Sequence, residues 1–243
     1  ALLKRKNLLK TILALLLFAL SAYAEACSTN NRYWVAANDG TDKFWHDNAN
    51  WSSQSGGQAG CSPPNHNNIQ AIFDSGSSVD AKLGQNVSKI SKLKVFNAYS
   101  GTINLNGFHL PSKQGPVIYG GTVLVNGGWL QTWGWTFIQS GGTVNASGSG
   151  SRIKIGHNLS IRNGGTLTAP DTSSSSYFMV RGGFNVHSGG TFNHNNGTVT
   201  LNTKWNNASG KPTARIYIQD GPGTGRNFYN LTKTARKNIY LGN

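Results

Sequence analysis

Acidic side chains are the first candidates for chemistry, because glycoside hydrolysis needs a carboxylate pair and a lyase needs several carboxylates around a Ca²⁺ ion. The only acidic residues in the segment 81–243 are Asp171 and Asp220. The chain has no G-x-S-x-G turn that would expose a serine nucleophile. Its six histidines show no i,i+4 pair of the kind that binds zinc from a helix. We therefore expect no enzyme activity, no catalytic residue and no metal site in this chain.

Aromatic side chains are the second candidates, and they are concentrated in the segment GGWLQTWGWTFIQSGGT. Its rings belong to Trp129, Trp133, Trp135 and Phe137. Residues spaced by two share one face of a strand, and the last three fall at outward positions of the repeat described below. Because flat rings stack on sugars and exposed apolar patches mark contacts, we predict that these four residues bind polysaccharide. A bulge that shifts the register by one residue is the alternative, and it would turn the rings inward.

A repeat must position these side chains. A Gly-Thr pair recurs at slowly lengthening intervals, with its threonines at Thr102, Thr122, Thr143, Thr166 and Thr191. Three columns of apolar residues keep register with these threonines. One residue after each Thr stand Ile103, Val123, Val144, Leu167 and Phe192; three residues after stand Leu105, Val125, Ala146, Ala169 and His194; five residues before the last four stand Val117, Ile138, Ile161 and Val186, with Phe96 and Ala98 near that column in the first coil.

Apolar columns that alternate with polar residues predict an all-β fold, a parallel β-helix (β-solenoid) over residues 81–243. We expect a right-handed coil, as is usual for parallel crossovers, and about seven coils at one rung per 4.8 Å. The glycines suit the corners, where positive φ or close backbone approach is needed. His194 is expected to face the core and to bond a neighbouring Asn. A β-sandwich with coincidental Gly-Thr turns is the alternative fold.

Residues 1–24 have the features of a secretory signal peptide. Lys4, Arg5, Lys6 and Lys10 precede an apolar run from Thr11 to Leu20, and the small residues of Ala22-Tyr23-Ala24 place the cleavage before Glu25. An uncleaved membrane anchor is the alternative, although the run is shorter than the roughly 20 residues that a span needs. We expect a secreted or cell-surface protein, with no membrane span after cleavage. We also expect the chain to be a fragment at both ends.

Charge is unevenly distributed along the chain, whose formal net charge is +14. Residues 25–80 hold two basic and six acidic residues, whereas residues 81–243 hold sixteen basic residues and two acidic ones. Such a basic body attracts polyanions. For an exported protein we expect a polysaccharide or an anionic cell-surface polymer as the partner, and no nucleic acid. The alternative is that the charge only keeps the surface soluble.

Residues 25–80 are interpreted as an N-terminal cap segment. The only two cysteines, Cys27 and Cys61, lie in it, and in an oxidising compartment they form one disulfide, worth roughly 3–4 kcal/mol. The aromatic residues that could cover the open first coil are Trp34, Trp45, Trp51 and Phe73. We expect no cofactor; a Ca²⁺ site is the alternative, and its ligands would be Asp39, Asp42, Asp47 and Asn50, although their spacing lacks an EF-hand loop.

The segment 33–75 also carries a recognisable pattern, W-x-D-x-x-N-W-S followed by SGG-x-x-G, a proline and I-F-D. It is formed by Trp45, Asp47, Asn50, Trp51, Ser52, residues 55–57, Gly60, Pro63 or Pro64, and residues 72–74. This pattern resembles the opening segment of long repetitive surface proteins of bacteria, in which a parallel β-helix of the GGT-x-x-x-x-G type follows. FNHNNGTVTLN (192–202) and NFYNLT (227–232) look like recurring elements of the same proteins.

The resemblance implies architecture and export but little about activity. Where those proteins usually have an acidic residue after the proline, this chain has Asn65-His66-Asn67-Asn68. Our first hypothesis is a non-enzymatic adhesin, scaffold or matrix β-solenoid that contacts polysaccharide. The second is part of a polysaccharide-degrading β-helix enzyme whose catalytic residues lie outside this fragment. An ice- or mineral-binding solenoid is the third, and it is disfavoured because outward positions are mostly Asn and Ser.

Overall fold

The computed structural model describes residue 10 and residues 27–202, 215–219, 225–234 and 240–242. The expected signal peptide over residues 1–24 therefore lies outside the described residues, Lys10 apart. Within the described residues from 27 onward there is one 3-10 helix, Asn48–Asn50. The strands are β1 (Asn31–Trp34), β2 (Trp51–Ser52), β3 (Gln70–Phe73), β4 (Ala81–Lys82), β5 (Lys92–Val95), β6 (Thr102–Asn104), β7 (His109–Ser112), β8 (Val117–Ile118), β9 (Thr122–Leu124), β10 (Trp129–Thr132), β11 (Thr136–Ile138), β12 (Thr143–Asn145), β13 (Arg152–Ile155), β14 (Leu159–Ile161), β15 (Thr166–Thr168), β16 (Phe178–Val180), β17 (Phe184–Val186), β18 (Thr191–Asn193), β19 (Thr198–Leu201), β20 (Arg215–Ile218), β21 (Asn230–Lys233) and β22 (Tyr240–Gly242).

These strands form three sheets that wind around one interior. Sheet A has the order β2-β1-β3-β5-β8-β11-β14-β17-β20-β22, sheet B the order β18-β15-β12-β9-β6-β4, and sheet C the order β21-β19-β16-β13-β10-β7. In the part of the chain that the structure describes, six successive coils begin at β4, β6, β9, β12, β15 and β18, compared with the expected seven or so, and each returns to sheet A before the next begins. The pairings between successive coils are parallel. The parallel β-helix is therefore confirmed, and the β-sandwich alternative is wrong.

The Gly-Thr register holds from rung to rung on sheet B. Each threonine pairs with the next along the series Thr102, Thr122, Thr143, Thr166 and Thr191. The apolar residue after each threonine is buried, from Ile103 to Phe192. Successive side chains of a strand point to opposite faces, so the threonine side chains face outward.

In the early coils, the buried column of sheet A is shifted by one residue from the predicted column. Ile118, not Val117, is the buried partner of Ile138. Only three residues separate Ile118 from Thr122, whereas four separate Ile138 from Thr143, so the corner is one residue shorter. One coil earlier the buried position belongs to Val95, and the expected Phe96 is exposed.

The cap covers the start of the core, as the aromatic residues of segment 25–80 led us to expect. Trp34, Trp45, Trp51 and Phe73 are all fully buried. Their ring centroids lie 4.9–5.8 Å apart in the five contacting pairs. The three indole N–H groups donate to the carbonyls of Val79, Pro64 and Trp45, so no indole dipole is left unsatisfied. Because β1 and β3 extend sheet A, the cap is continuous with the coil.

The expected disulfide joins Cys27 to Cys61, with the Cα atoms 5.4 Å apart. Beside it, the buried guanidinium of Arg32 donates to the carbonyls of Cys27 and Ser62, at 3.0 and 2.9 Å. Two further donations reach the carbonyls of Thr29 and Asn31. One covalent bond and one buried cation thus fasten the beginning of the described chain to the loop before β3.

No helix among the described residues has both the length and the apolar character to cross a membrane.

Candidate ligand-binding surface

The predicted aromatic segment lies on the outside of the coil but bends around a corner. Trp129 is on β10 of sheet C and Phe137 on β11 of sheet A, both half-buried. Trp133 and Trp135 lie in the turn between these strands, with 40% and 50% of their surfaces exposed. The expected straight stripe on one strand is therefore wrong: the rings follow the edge where sheets C and A meet.

Glycine packing makes this turn possible. A Cβ atom on Gly115 would lie 1.7 Å from the carbonyl oxygen of Trp135, and one on Gly134 would lie 2.4 Å from the nitrogen of Gly115. The two backbones therefore touch at a distance that no side chain allows. Inside the corner, the Oγ1 atoms of Thr132 and Thr136 are 3.3 Å apart, so a buried hydroxyl contact closes the turn.

Trp129 has partners on both neighbouring coils. Its indole stacks on the imidazole of His109, its pairing partner on β7, with centroids 4.3 Å apart and planes at 16°. The Nζ atom of Lys154 lies 5.9 Å from the indole centroid. On the far side, Trp129 pairs with Arg152, whose guanidinium covers the ring of Tyr177 at 4.6 Å. Aromatic and cationic groups thus follow one another along the outer row of sheet C.

The corner residues show the same alternation of rings and cations. Lys89 Nζ lies 4.6 Å from the centroid of Trp133. Trp135 stacks on the imidazole of His157, with centroids 5.0 Å apart. The guanidinium of Arg162 lies 4.6 Å from the Phe137 ring. The distances from Lys89 to Trp133 and from Arg162 to Phe137 are within the range of cation–π attraction. We call the whole set the aromatic–cation surface; it consists of Trp129, Trp133, Trp135 and Phe137 with Lys89, His109, Lys154, His157 and Arg162.

Positive charge predominates around this surface. The two ion pairs of the described residues, Asp39–Lys43 and Asp42–Lys82, both lie near the cap. Beyond residue 80, Asp171 is the only acidic side chain that the structure describes. Burial lowers the pKa of His109, so this ring is neutral at physiological pH and serves as a stacking group. The lysines and Arg162 carry the charge that an anionic ligand would meet.

The coil length would have revealed the residues that the sequence analysis missed. His109 and Trp129 are as far apart in the chain as Thr102 and Thr122 are. The residue that lies one coil length further along the chain from an aromatic residue is therefore its neighbour on the next rung. The aromatic stripe was predicted from neighbours along the chain alone, so contacts between coils were left out.

Comparison of the chain with protein-family models, curated proteins and solved structures gave no match.

The residues considered as Ca²⁺ ligands have other partners. Asp39 accepts hydrogen bonds from Lys43 and Thr41, which lower the pKa of its carboxyl. Asp47 accepts the N–H of Ala49 at the start of the 3-10 helix, and Asn50 donates to the carbonyl of Phe44. In the part of the chain that the structure describes, no three His, Cys, Asp or Glu side chains are grouped so as to hold a metal ion.

His194, which was expected to face the core, is not among the buried core residues. It is half-buried, its Nδ1 accepts the backbone N–H of Asn196 at 2.9 Å, and its ring stacks with Tyr229 at 5.6 Å. The equivalent residues of earlier coils, Leu105 and Val125, are fully buried, although positive-φ Asn106 and Asn126 follow them in the same way. The Asn partner is present, but it contributes its backbone rather than its side chain.

Proposed function

We propose that this chain is an exported, non-enzymatic β-solenoid with an adhesin, scaffold or matrix role, and that its aromatic–cation surface binds an anionic polysaccharide. The observation that carries the proposal is the alternation of exposed indoles with cations at the corner, above all Trp133 beneath Lys89. A sugar ring can stack on an indole while its carboxylate or sulfate meets the neighbouring cation. Export is supported by the signal-like segment 1–24 together with the disulfide.

Cations lie on rungs to either side of the rings, so such a ligand can make several contacts at once. A polysaccharide chain presents the same group at regular intervals. Lys89 lies two rungs before the aromatic coil, and Lys154 and Arg162 lie one rung after it, at about 4.8 Å per rung. Individual cation–ring and stacking contacts contribute only about 1 kcal/mol each. Affinity for a polymer therefore comes from several weak contacts made at once, and it should fall as salt screens the charges.

The test is affinity electrophoresis of the Trp133→Ala/Trp135→Ala double variant in gels containing polygalacturonate. The matched control is Phe96→Ala, because Phe96 is 39% exposed, like Trp133, but lies outside the aromatic–cation surface. We expect the double variant to lose at least about tenfold in affinity, which is roughly 1.4 kcal/mol, and the control to behave as wild type. Unchanged retardation of a folded double variant would disprove the proposal.

A further inference from the structure

A cleft of about 630 Å³ opens on the outer face of sheet B, on the side of the cap. Its floor is made by the first rungs of that sheet, and its wall by residues 38–43. The groups that give the cleft its chemical character are Asp42, Asp80, Lys82, Thr102, Asn104 and Leu124. A cavity of this size lies within the range of small-ligand sites.

The wall of the cleft is built into the fold. Phe44 forms a parallel bridge with Lys82, so the wall segment acts as an extra rung before β4. The backbone N–H of Lys82 donates to the carbonyl of Lys43 at 2.9 Å, and that of Trp45 donates to the carbonyl of Lys82 at 2.8 Å. The preceding turn has Gly40 at φ 77°, and Asp39 accepts the N–H of Thr41 at 3.0 Å. The wall is therefore held by the same hydrogen bonds that hold the coil.

One residue on the floor breaks the pattern of its row. The outward positions that follow Lys82 on successive rungs are Asn104, Leu124, Asn145, Thr168 and Asn193. Leu124 is the only apolar member of this described row beyond Lys82, and it lies in the cleft. An outward leucine contributes nothing to the core. It supplies the apolar patch that the C–H face of a sugar ring requires.

Both lysines that line the cleft are paired with carboxylates, Lys43 with Asp39 and Lys82 with Asp42. Lys82 Nζ is 2.7 Å from a carboxylate oxygen of Asp42, and Asp80 accepts the backbone N–H of Thr102 at 2.7 Å. The remaining lone pairs and N–H donors of these groups suit hydroxyls, which both donate and accept. A polyanion gains nothing here, because both lysines are already paired with carboxylates and Asp80 adds a further negative charge. The cleft thus differs in electrostatics from the aromatic–cation surface.

From the paired lysines, the leucine floor and the fixed wall we infer that this cleft is a second site, which binds an uncharged saccharide. The site lies on sheet B, whereas the aromatic–cation surface lies on sheets C and A. The two sites therefore take different classes of ligand, and neither depends on the other.

The experiment is an NMR titration of the wild-type protein with neutral tetrasaccharides of glucose, xylose, mannose and N-acetylglucosamine, with tetragalacturonate as the anionic comparison. The Leu124→Asn variant replaces the leucine by the residue that both neighbouring rungs have at this position, Asn104 and Asn145. The matched control is Thr168→Asn, on the same row two rungs away and outside the cleft. Both changes are at outward positions, so neither removes a core contact.

We expect at least one neutral tetrasaccharide to bind, Leu124→Asn to weaken it at least about tenfold, and Thr168→Asn to leave it unchanged. The Trp133→Ala/Trp135→Ala variant should also bind it normally, which separates this site from the proposed function. Absence of binding by all four probes at about 10 mM, well above a typical Kd, would overturn the inference. Equal affinity of the Leu124→Asn variant, or tighter binding of tetragalacturonate in the cleft, would overturn it as well.

Discussion

The imidazole of His109 lies flat against the indole of Trp129, although the two residues are a whole coil apart in the chain. Their strands pair in parallel, so the two rings occupy the same outward position on adjacent rungs. Burial is the main cause that lowers the pKa of His109, and a hydrogen bond with Gln131 opposes it. The stacked pair therefore prefers the neutral imidazole.

Acidification should weaken the fold through this pair. In the unfolded chain His109 has its ordinary pKa of about 6.5, whereas the folded state holds the pKa lower. The stabilisation is thus complete above about pH 6.5 and is lost as the pH falls through the folded value. Burial also lowers the pKa values of His46 and His187, so both add to the same trend.

The measurement is urea denaturation between pH 8 and pH 5, with NMR titration of the His109 ring. His109→Gln should flatten part of the fall in the free energy of unfolding, because the uncharged amide does not titrate in this interval. A His109 ring that titrates at or above about 6.5 would contradict this prediction.

Gly115 should prove essential for the corner that carries the exposed indoles. A Cβ atom there would lie 1.7 Å from the Trp135 oxygen and 2.1 Å from its carbonyl carbon, both backbone atoms that no rotamer change can move. We expect Gly115→Ala to lower the free energy of unfolding by about 1–3 kcal/mol and to alter the tryptophan fluorescence of the folded protein.

Gly84→Ala is the control for this substitution. Its new Cβ would meet only the exposed ring of Phe44, at 3.3 Å, and that ring can move. The control should change stability by less than about 0.5 kcal/mol. Equal stability of the two alanine variants would mean that the corner does not depend on close backbone contact.

Removing the disulfide should loosen the cap. Cys27 and Cys61 are 34 residues apart, and the chain-entropy account gives a bridge of this length about 3–4 kcal/mol of stabilisation. The Cys27→Ser/Cys61→Ser variant should unfold at a correspondingly lower denaturant concentration. Dithiothreitol should destabilise the wild type by a similar amount and leave the variant unaffected; if dithiothreitol does not destabilise the wild type, the bridge adds no stability.

The sequence also led to one misjudgement about the outer faces. Outward positions were expected to be mostly Asn and Ser, yet Thr102, Thr122, Thr143, Thr166 and Thr191 form one outward row on sheet B. The recurring Gly-Thr pair marks the start of each coil but does not by itself place the threonine on a face. Because side chains alternate along a strand, the buried residue after each threonine places the threonine outside.

The sequence by itself determined the coil, its register on sheet B, the buried cap aromatics and the cysteine pair. These follow from local rules: alternation along a strand, a recurring Gly-Thr corner, and two cysteines that can pair only with each other. The first two rules act within one coil or between equivalent coils, so periodicity in the chain is sufficient to find the coil and its register.

Only the tertiary structure decided which groups meet across coils and around corners. Lys89 and Trp133 meet across two rungs, because Ile90 pairs with Ser112 and Ser112 pairs with Thr132. Corner lengths change by one residue from coil to coil, as the shift from Val117 to Ile118 shows, so spacing in the chain alone does not give such contacts. The cleft at Leu124 depends in turn on a wall from residues 38–43 that pairs with β4. A one-residue change reverses the direction of a side chain, so these contacts follow from the packed backbone and not from the repeat alone.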